Sequence, residues 1–107
     1  MAAQSHRLLD AFVLQTNLFQ PRLDWFDAGA YNQLNIHCRV VTSGTGTLKV
    51  QHSATTDEPG FLDLPTVDLS TEGNFTTVNG FLRYVRWVTT GSFSGSPAAV
   101  IDLVAKS

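Results

Sequence analysis

The chain has 107 residues, which is the size of one domain built around a single core. Its net charge of −2 creates no overall field that attracts phosphates, so we do not expect nucleic acid as a main partner. Charged residues make up only 15% of the chain, against roughly 25% in ordinary soluble domains. A surface so poor in charge predicts that something else covers part of it.

The sequence carries no signal for a membrane or for secretion. No apolar run approaches the ~20 residues of a spanning helix, and the N-terminal segment lacks the apolar stretch of a signal peptide. Cys38 is the single cysteine, so it cannot form an internal disulfide, and its phase in the sequence favours packing inside the core. We expect a chain made in the cytoplasm without a signal peptide and without membrane contact.

The first third of the chain has a weaker pattern than the rest. We expect residues 1–5 to form a flexible N-terminal arm that orders only against a neighbour, and residues 5–14 to offer at most a helical turn. The segment that follows is irregular and rich in aromatic residues, including Phe19, Trp25 and Phe26.

From residue 34 onward the pattern has a period of two, which is typical of strands with one buried face. Residues 34–41 and 47–53 alternate around a Gly-rich turn, which predicts a hairpin. Pro65 has no amide donor and so either breaks its strand or places it at an edge. Further strands are predicted within residues 61–70, 74–80, 81–90 and 98–106. The last of these also has helical propensity, but its β neighbours favour a strand. Six or seven such strands predict one all-β domain, an antiparallel β-sandwich or jelly roll.

Two arginines and three aromatic rings lie close together in the strand predicted at 81–90. They could stack on the bases of a single nucleic-acid strand. Period-two alternation, however, places Arg83 and Arg86 on opposite faces of the sheet. This arrangement favours structural arginines that bind carboxylates or loop carbonyls, such as those near Asp63, Asp68 or Asp102.

No motif indicates catalysis or a cofactor. His6, His37 and His52 are scattered and lack the spacing of zinc ligands, and Asp57-Glu58 is interpreted as part of a solvated loop rather than a calcium site. The stretch "GSFSG" has Phe93 where a nucleophile elbow needs its serine. We therefore expect a protein that is not an enzyme and binds neither metal nor cofactor.

The order of the segments resembles the discoidin-type, galactose-binding-like jelly rolls. In that family a strand ending in Ser, a loop containing Asp and an aromatic residue precede the next strand, and a later strand carries Arg-Tyr-Val-Arg. The corresponding positions here are Ser53, Asp57, Phe61 and residues 83–86, and the resemblance covers roughly residues 25–105. Short, cysteine-poor jelly rolls of this kind look like the decoration, tail or cement subunits of tailed-phage virions and related particles.

Apolar side chains outside the clear strands are the candidate contacts. They are Phe19, Trp25, Phe26 and Phe93, which either plug the ends of the sandwich or contact a partner. The leading hypothesis is a structural subunit that assembles with copies of itself or with other particle subunits. The alternative is a small carbohydrate-binding module in which Trp25 or Phe93 stacks on a sugar.

Overall fold

Two antiparallel four-stranded sheets pack face to face in the computed structural model, which describes residues 3–15, 18–56, 60–70 and 73–107. The described residues form eight strands: β1 (Ala3–Val13), β2 (Phe26–Asp27), β3 (Gln33–Thr42), β4 (Thr45–Ser53), β5 (Leu62–Asp68), β6 (Gly73–Val78), β7 (Tyr84–Ser94) and β8 (Ala98–Lys106). The strand order is β1-β8-β3-β6 in the first sheet and β2-β7-β4-β5 in the second. The prediction of an all-β sandwich is confirmed.

The core lies between the two sheets and comes from the alternation seen in the sequence. Inward residues of β3 and β8 in the first sheet face those of β4 and β7 in the second, and each is almost fully buried. These core residues include Leu34, Ile36, Cys38, Leu48, Val50, Val85, Trp87, Ile101 and Leu103. Burying one aliphatic side chain of this size contributes about 1.5–3 kcal/mol, so the inner faces supply the main force that holds the sheets together.

The predicted hairpin between β3 and β4 is wrong. β3 pairs with β8 and β6, whereas β4 pairs with β7 and β5, so the Gly-rich turn carries the chain from one sheet to the other. Gly44 makes the crossing possible, because a Cβ there would lie 2.5 Å from the carbonyl oxygen of Ser94. Two strands with one apolar face each can pack face to face as well as side by side, and the sequence pattern does not distinguish these arrangements.

The N-terminal segment also differs from the prediction. Residues 3–5 pair with residues 104–106 and belong to β1, so they are not a flexible arm, and residues 1 and 2 lie outside the described residues. The predicted helical turn at 5–14 is strand as well. The register shifts between Arg7 and Leu9, and this irregularity lets the adjacent Leu8 and Leu9 both be buried. The shift breaks the period-two pattern, which explains why the sequence did not indicate a strand.

Two further predictions concern the second sheet. β5 lies at its edge and shifts register at Pro65, as the missing amide donor predicted. β7 lies inside the sheet, also as predicted, but it continues through Ser94, so Phe93 is part of the strand rather than of a Gly/Ser loop. Residues 85–89 are buried on both faces of the strand. Something must therefore cover the outer face of β7.

Candidate functional site

The open side of the sandwich carries two neighbouring clefts. They lie between β1, the edge strand of the first sheet, and residues 18–31, which run along β7 at the edge of the second sheet. Within this segment Phe19 bridges Val88 before a 3₁₀ turn at Arg22–Asp24, and β2 follows. The edge of the second sheet is thus formed by two short pieces of chain with the turn between them.

Gln20 holds the two sheets together at this side. Its side chain is only 4% exposed, and Nε2 donates to the carbonyl oxygens of Leu8, at 3.0 Å, and Asp24, at 2.9 Å. Its Oε1 accepts a hydrogen bond from the Trp87 amide at 3.1 Å. One buried amide therefore connects β1 with β7, and such a group is stable in the interior because its bonds are made. Sequence reasoning missed Gln20, since nothing in its local pattern marks it.

The first cleft has a volume of about 590 Å³ and is mainly apolar. Phe19 and Leu23 stand at this cleft with 56% and 98% of their surfaces exposed. Polar side chains of Arg7, Asp10 and Asp24 also line it. An exposed apolar cleft with charged groups around it is a typical contact surface for a ligand or a partner.

The second cleft has a volume of about 630 Å³ and is more polar. Arg83 and Asp27 form a salt bridge there, with Nη2 2.9 Å from Oδ2. The hydrogen bond from Arg83, together with one from the Gly29 amide, lowers the pKa of Asp27. The Tyr31 hydroxyl donates to Oε1 of Gln4. His6 and Trp25 line both clefts and so lie where the clefts meet.

Trp25 is held in place before anything binds. Its Nε1 donates to the carbonyl oxygen of Gln20 at 2.8 Å, and its ring packs edge-on against Phe61 with centroids 5.0 Å apart. The indole is nevertheless partly exposed. A fixed, half-exposed aromatic ring can stack on an apolar surface at little entropic cost.

The outer face of β7 is covered by a cluster around Arg86. The guanidinium carbon lies 3.7 Å from the ring centroid of Phe61 and 5.3 Å from those of Phe19 and Trp25. Arg86 is only 2% exposed, and its Nε and Nη2 donate to Oε1 of Gln51 at 3.1 and 2.9 Å. Cation–π contacts of this kind gain strength when water is excluded. Arg86 is thus a structural residue, and it stands behind the ring of Trp25.

Arg83 binds a carboxylate, as predicted, but that carboxylate is not one of the three named as examples. Arg83 pairs with Asp27, while Asp102 receives the hydrogen bonds of Arg7. Gln51, which binds Arg86, donates through Nε2 to Asp63 at 2.9 Å. Arg86 therefore reaches Asp63 only through an amide.

The four sequence-predicted contact residues do not form one site. Phe19 and Trp25 line the first cleft. Phe26 is 5% exposed and stacks on Tyr31 with centroids 5.9 Å apart, so most of its ring lies in the core, and its remaining surface lines the second cleft. Phe93 is half-buried, packs against Gly46 and lines a separate, smaller depression. Only part of the predicted set is therefore brought together at the open side.

The residues of the family resemblance are also scattered. Ser53 is buried and its Oγ accepts a hydrogen bond from the Thr55 amide, whereas Phe61 belongs to the Arg86 cluster. Asp57 lies outside the described residues. Of the described positions, Arg83 lines the second cleft, whereas Ser53 and Phe61 line neither cleft.

The three histidines occupy separate positions, of which His6 lines the clefts and His37 lies on an exposed strand face. Across residues 3–15, 18–56, 60–70 and 73–107, no group of three or more His, Cys, Asp or Glu side chains is placed to hold a metal ion. In the same part of the chain, no helix has the length and apolar character needed to cross a bilayer.

Comparison with known proteins identifies a shared fold. No protein-family model matches this chain, and no curated protein matches its sequence. The crystal structure of the SPBc2 prophage-derived protein YomS is similar over 98% of this chain and 94% of that one, with a TM-score of 0.57 and 15% sequence identity. At that identity the similarity establishes the fold alone, and the discoidin type of jelly roll stays a prediction. This chain thus has the all-β architecture of a known prophage-derived protein.

Proposed function

We propose that this chain is a non-enzymatic structural subunit that works by assembling with copies of itself or with other subunits of a phage particle. The observation that carries the proposal is the pair of exposed apolar side chains, Phe19 and Leu23, beside the first cleft. Apolar groups placed together at the surface of a small domain are typical of protein contacts. The low proportion of charged residues, 15%, is consistent with a surface that becomes covered.

The fold comparison supports only one part of this proposal, the phage context. YomS is described as prophage-derived, and the two chains match over nearly their whole lengths. A shared fold does not carry a shared function, so the comparison only raises the expectation of a phage context.

Two of the sheet edges, β1 and β5, favour contacts through side chains over strand addition. β1 shifts register at two places, after Arg7 and after Asp10, and β5 shifts at Pro65. Irregular edges of this type disfavour pairing with another chain's strand. The exposed apolar groups at the clefts are then the more favourable point of attachment.

Analytical ultracentrifugation over a wide range of concentration tests the assembly role. We expect the wild-type protein to self-associate or to co-sediment with particles from its source, and Phe19→Ser and Leu23→Ser to weaken this association. Phe75→Ser is the matched control, because Phe75 is also exposed but lies on β6, at the other edge of the first sheet. A monomer at all concentrations that joins no particle contradicts the proposal.

A second candidate function is carbohydrate binding, and the position of Trp25 favours it. The ring lies in an open groove and is fixed by a hydrogen bond and an edge contact. Such rings are suited to stacking on the apolar faces of sugars. Retention on a glycan array tests this candidate, and a folded protein that binds no glycan removes it.

A further inference from the structure

We infer that an extended, uncharged oligosaccharide binds along the open side of the sandwich, passing from one cleft to the other between Trp25 and His6. This inference rests on carbohydrate binding, the second candidate function, and adds to it the site and the class of ligand. It does not depend on the assembly role.

The two clefts together form one continuous groove, and its shape favours an extended ligand. The two clefts share Trp25 and His6, so a ligand can continue from one into the other without leaving the surface. Their volumes, about 590 and 630 Å³, each lie within the range of roughly 300–1,000 Å³ common for small-ligand sites. The place where the clefts meet, at Trp25 and His6, is called the junction below. Space on both sides of the junction favours several linked sugar rings over a single one.

The junction supplies the apolar contact. Trp25 is fixed from behind by Phe61 and Arg86, and the His6 ring rests on Phe26 with centroids 5.1 Å apart. Both rings are therefore supported by the protein and keep part of their surface free for a ligand. A sugar ring presents an apolar face made of C–H groups, which is the surface that an aromatic ring prefers to contact.

Polar groups with spare hydrogen-bonding capacity flank the junction. Within the described part of the chain, neither the Asp24 carboxylate nor the His6 ring nitrogens have a hydrogen-bonded partner. In the second cleft, Gln4 accepts from Tyr31 through its Oε1, which leaves its amide N–H groups to donate. Carboxylate, imidazole and amide together offer both acceptors and donors, as hydroxyl groups require.

The charges in the groove select against anionic ligands. Two arginines and three aspartates line it, and Arg83 is paired with Asp27 while Arg7 lies 3.4 Å from Asp10. Asp24 adds a carboxylate without a cationic partner in the described residues. The balance is slightly negative, so sulfated or sialylated glycans and nucleic acids gain nothing from it.

An extended peptide fits the groove less well. Peptides that lie along a sheet edge depend on a regular row of backbone donors and acceptors. β1 shifts register after Arg7 and after Asp10, both within the stretch that lines the first cleft. The groove therefore recognises a ligand through side chains rather than through strand pairing.

The test is a glycan array carrying uncharged, sialylated and sulfated glycans, followed by calorimetry with the uncharged glycan that gives the strongest signal. We expect affinity to rise with the number of sugar units. Asp24→Ala and His6→Ala should each raise the Kd by about fivefold to tenfold, as the loss of one ligand hydrogen bond does. Val41→Ala is the control, since Val41 is exposed and lines neither cleft.

Tryptophan emission gives an independent readout. Trp25 is half-exposed, whereas Trp87 also lines the first cleft but is only 3% exposed, so most of the change on adding the glycan should be lost in Trp25→Phe. Thermal unfolding of each variant checks that it folds. If His6→Ala does not fold, Asp24→Ala, at an exposed position, keeps the test decisive.

The outcomes separate this inference from the function on which it rests. Glycan binding that is unchanged in Asp24→Ala and His6→Ala overturns the site but leaves carbohydrate binding standing. Binding confined to sialylated or sulfated glycans overturns the ligand class, and capture of a peptide instead of any glycan overturns both site and class. Folded protein that binds no glycan removes the second candidate function together with the inference.

Discussion

The ring of Phe93 fills the space that a side chain on Gly46 would need. A Cβ on Gly46 would lie 2.5 Å from Cε2 of Phe93, and the φ angle of Gly46 is 134°, in a region that L side chains rarely adopt. Gly46 lies in β4 and Phe93 near the end of β7, and these two strands pair in the second sheet. The phenyl group therefore packs onto the neighbouring strand, and Gly46 is the residue that admits it.

Replacing this glycine should destabilise the protein strongly. We expect Gly46→Ala to lower the free energy of unfolding by about 3 kcal/mol, because backbone strain and overpacking against Phe93 each contribute. Urea denaturation followed by tryptophan fluorescence measures the change. Gly80→Ala is the matched control, with no neighbouring atom within 4 Å and no positive φ, and should change stability by less than about 0.5 kcal/mol. Similar losses of stability in the two variants contradict the packing of the Phe93 ring against Gly46.

Arg86 should not tolerate replacement by lysine. Lysine keeps the charge but loses the flat surface that lies 3.7 Å from the Phe61 centroid and the pair of N–H groups bound to Gln51. We expect Arg86→Lys to cost about 2 kcal/mol of unfolding free energy. Arg83→Lys, in an exposed salt bridge, should cost much less than Arg86→Lys in the same denaturation experiment. An equal cost for both replacements argues against a structural role for the Arg86 cluster.

Cys38 should be unreactive while the protein is folded. Burial raises the pKa of its thiol from 9.0 to about 12, so the nucleophilic thiolate is absent near neutral pH. We expect a thiol reagent such as Ellman's reagent to modify the denatured chain and not the native one. Rapid labelling of native protein contradicts the buried position.

The same shift makes stability depend on alkaline pH. The unfolded thiol loses its proton near pH 9.0, whereas the folded one keeps it up to about 12. Stability from this group is therefore complete below pH 9.0 and falls as the pH rises toward 12. Cys38→Ala should flatten this part of the denaturation profile relative to the wild type, and an unchanged slope contradicts the prediction.

His52 should make the protein less stable in mild acid. Its Nδ1 accepts a hydrogen bond from the Leu82 amide at 2.9 Å, and burial lowers its pKa from the ordinary value of 6.5. Below pH 6.5 the unfolded chain takes up the proton first, so stability is lost as the pH falls toward the lowered pKa. Denaturation curves on either side of pH 6.5 should show this loss in the wild type and not in His52→Gln.

A control variant, and the different pH range in which the aspartates titrate, identify His52 as the group responsible for the loss. His37→Gln alters an exposed histidine, retains His52 and should keep the pH dependence of the wild type. Asp27, Asp63 and Asp68 have pKa values lowered from 3.8, so the stability that they contribute is lost only in stronger acid. A loss near pH 6 that persists in His52→Gln assigns it to another group.

Much of the fold follows from local patterns in the sequence. Period-two alternation located β3 and β4, and their apolar residues form the core as predicted. Pro65 indicated an edge strand because it lacks an amide donor, and β5 is at the edge. These predictions succeeded because strand periodicity and proline chemistry act within a few residues of the chain.

The candidate site and the pairing of the strands depend on the tertiary structure. Gln20 hydrogen-bonds to Leu8 of β1 and to Trp87 of β7, 67 residues away, and these two contacts together make it a link between the sheets. The turn after β3 could make a hairpin or cross to the other sheet, and only the pairing of β4 with β5 and β7 decides between them. Alternation indicates which face of a strand is buried but not what buries it. The sequence therefore determined the regular strands from β3 onward, and only long-range packing decided β1, the neighbours of each strand and the clefts between them.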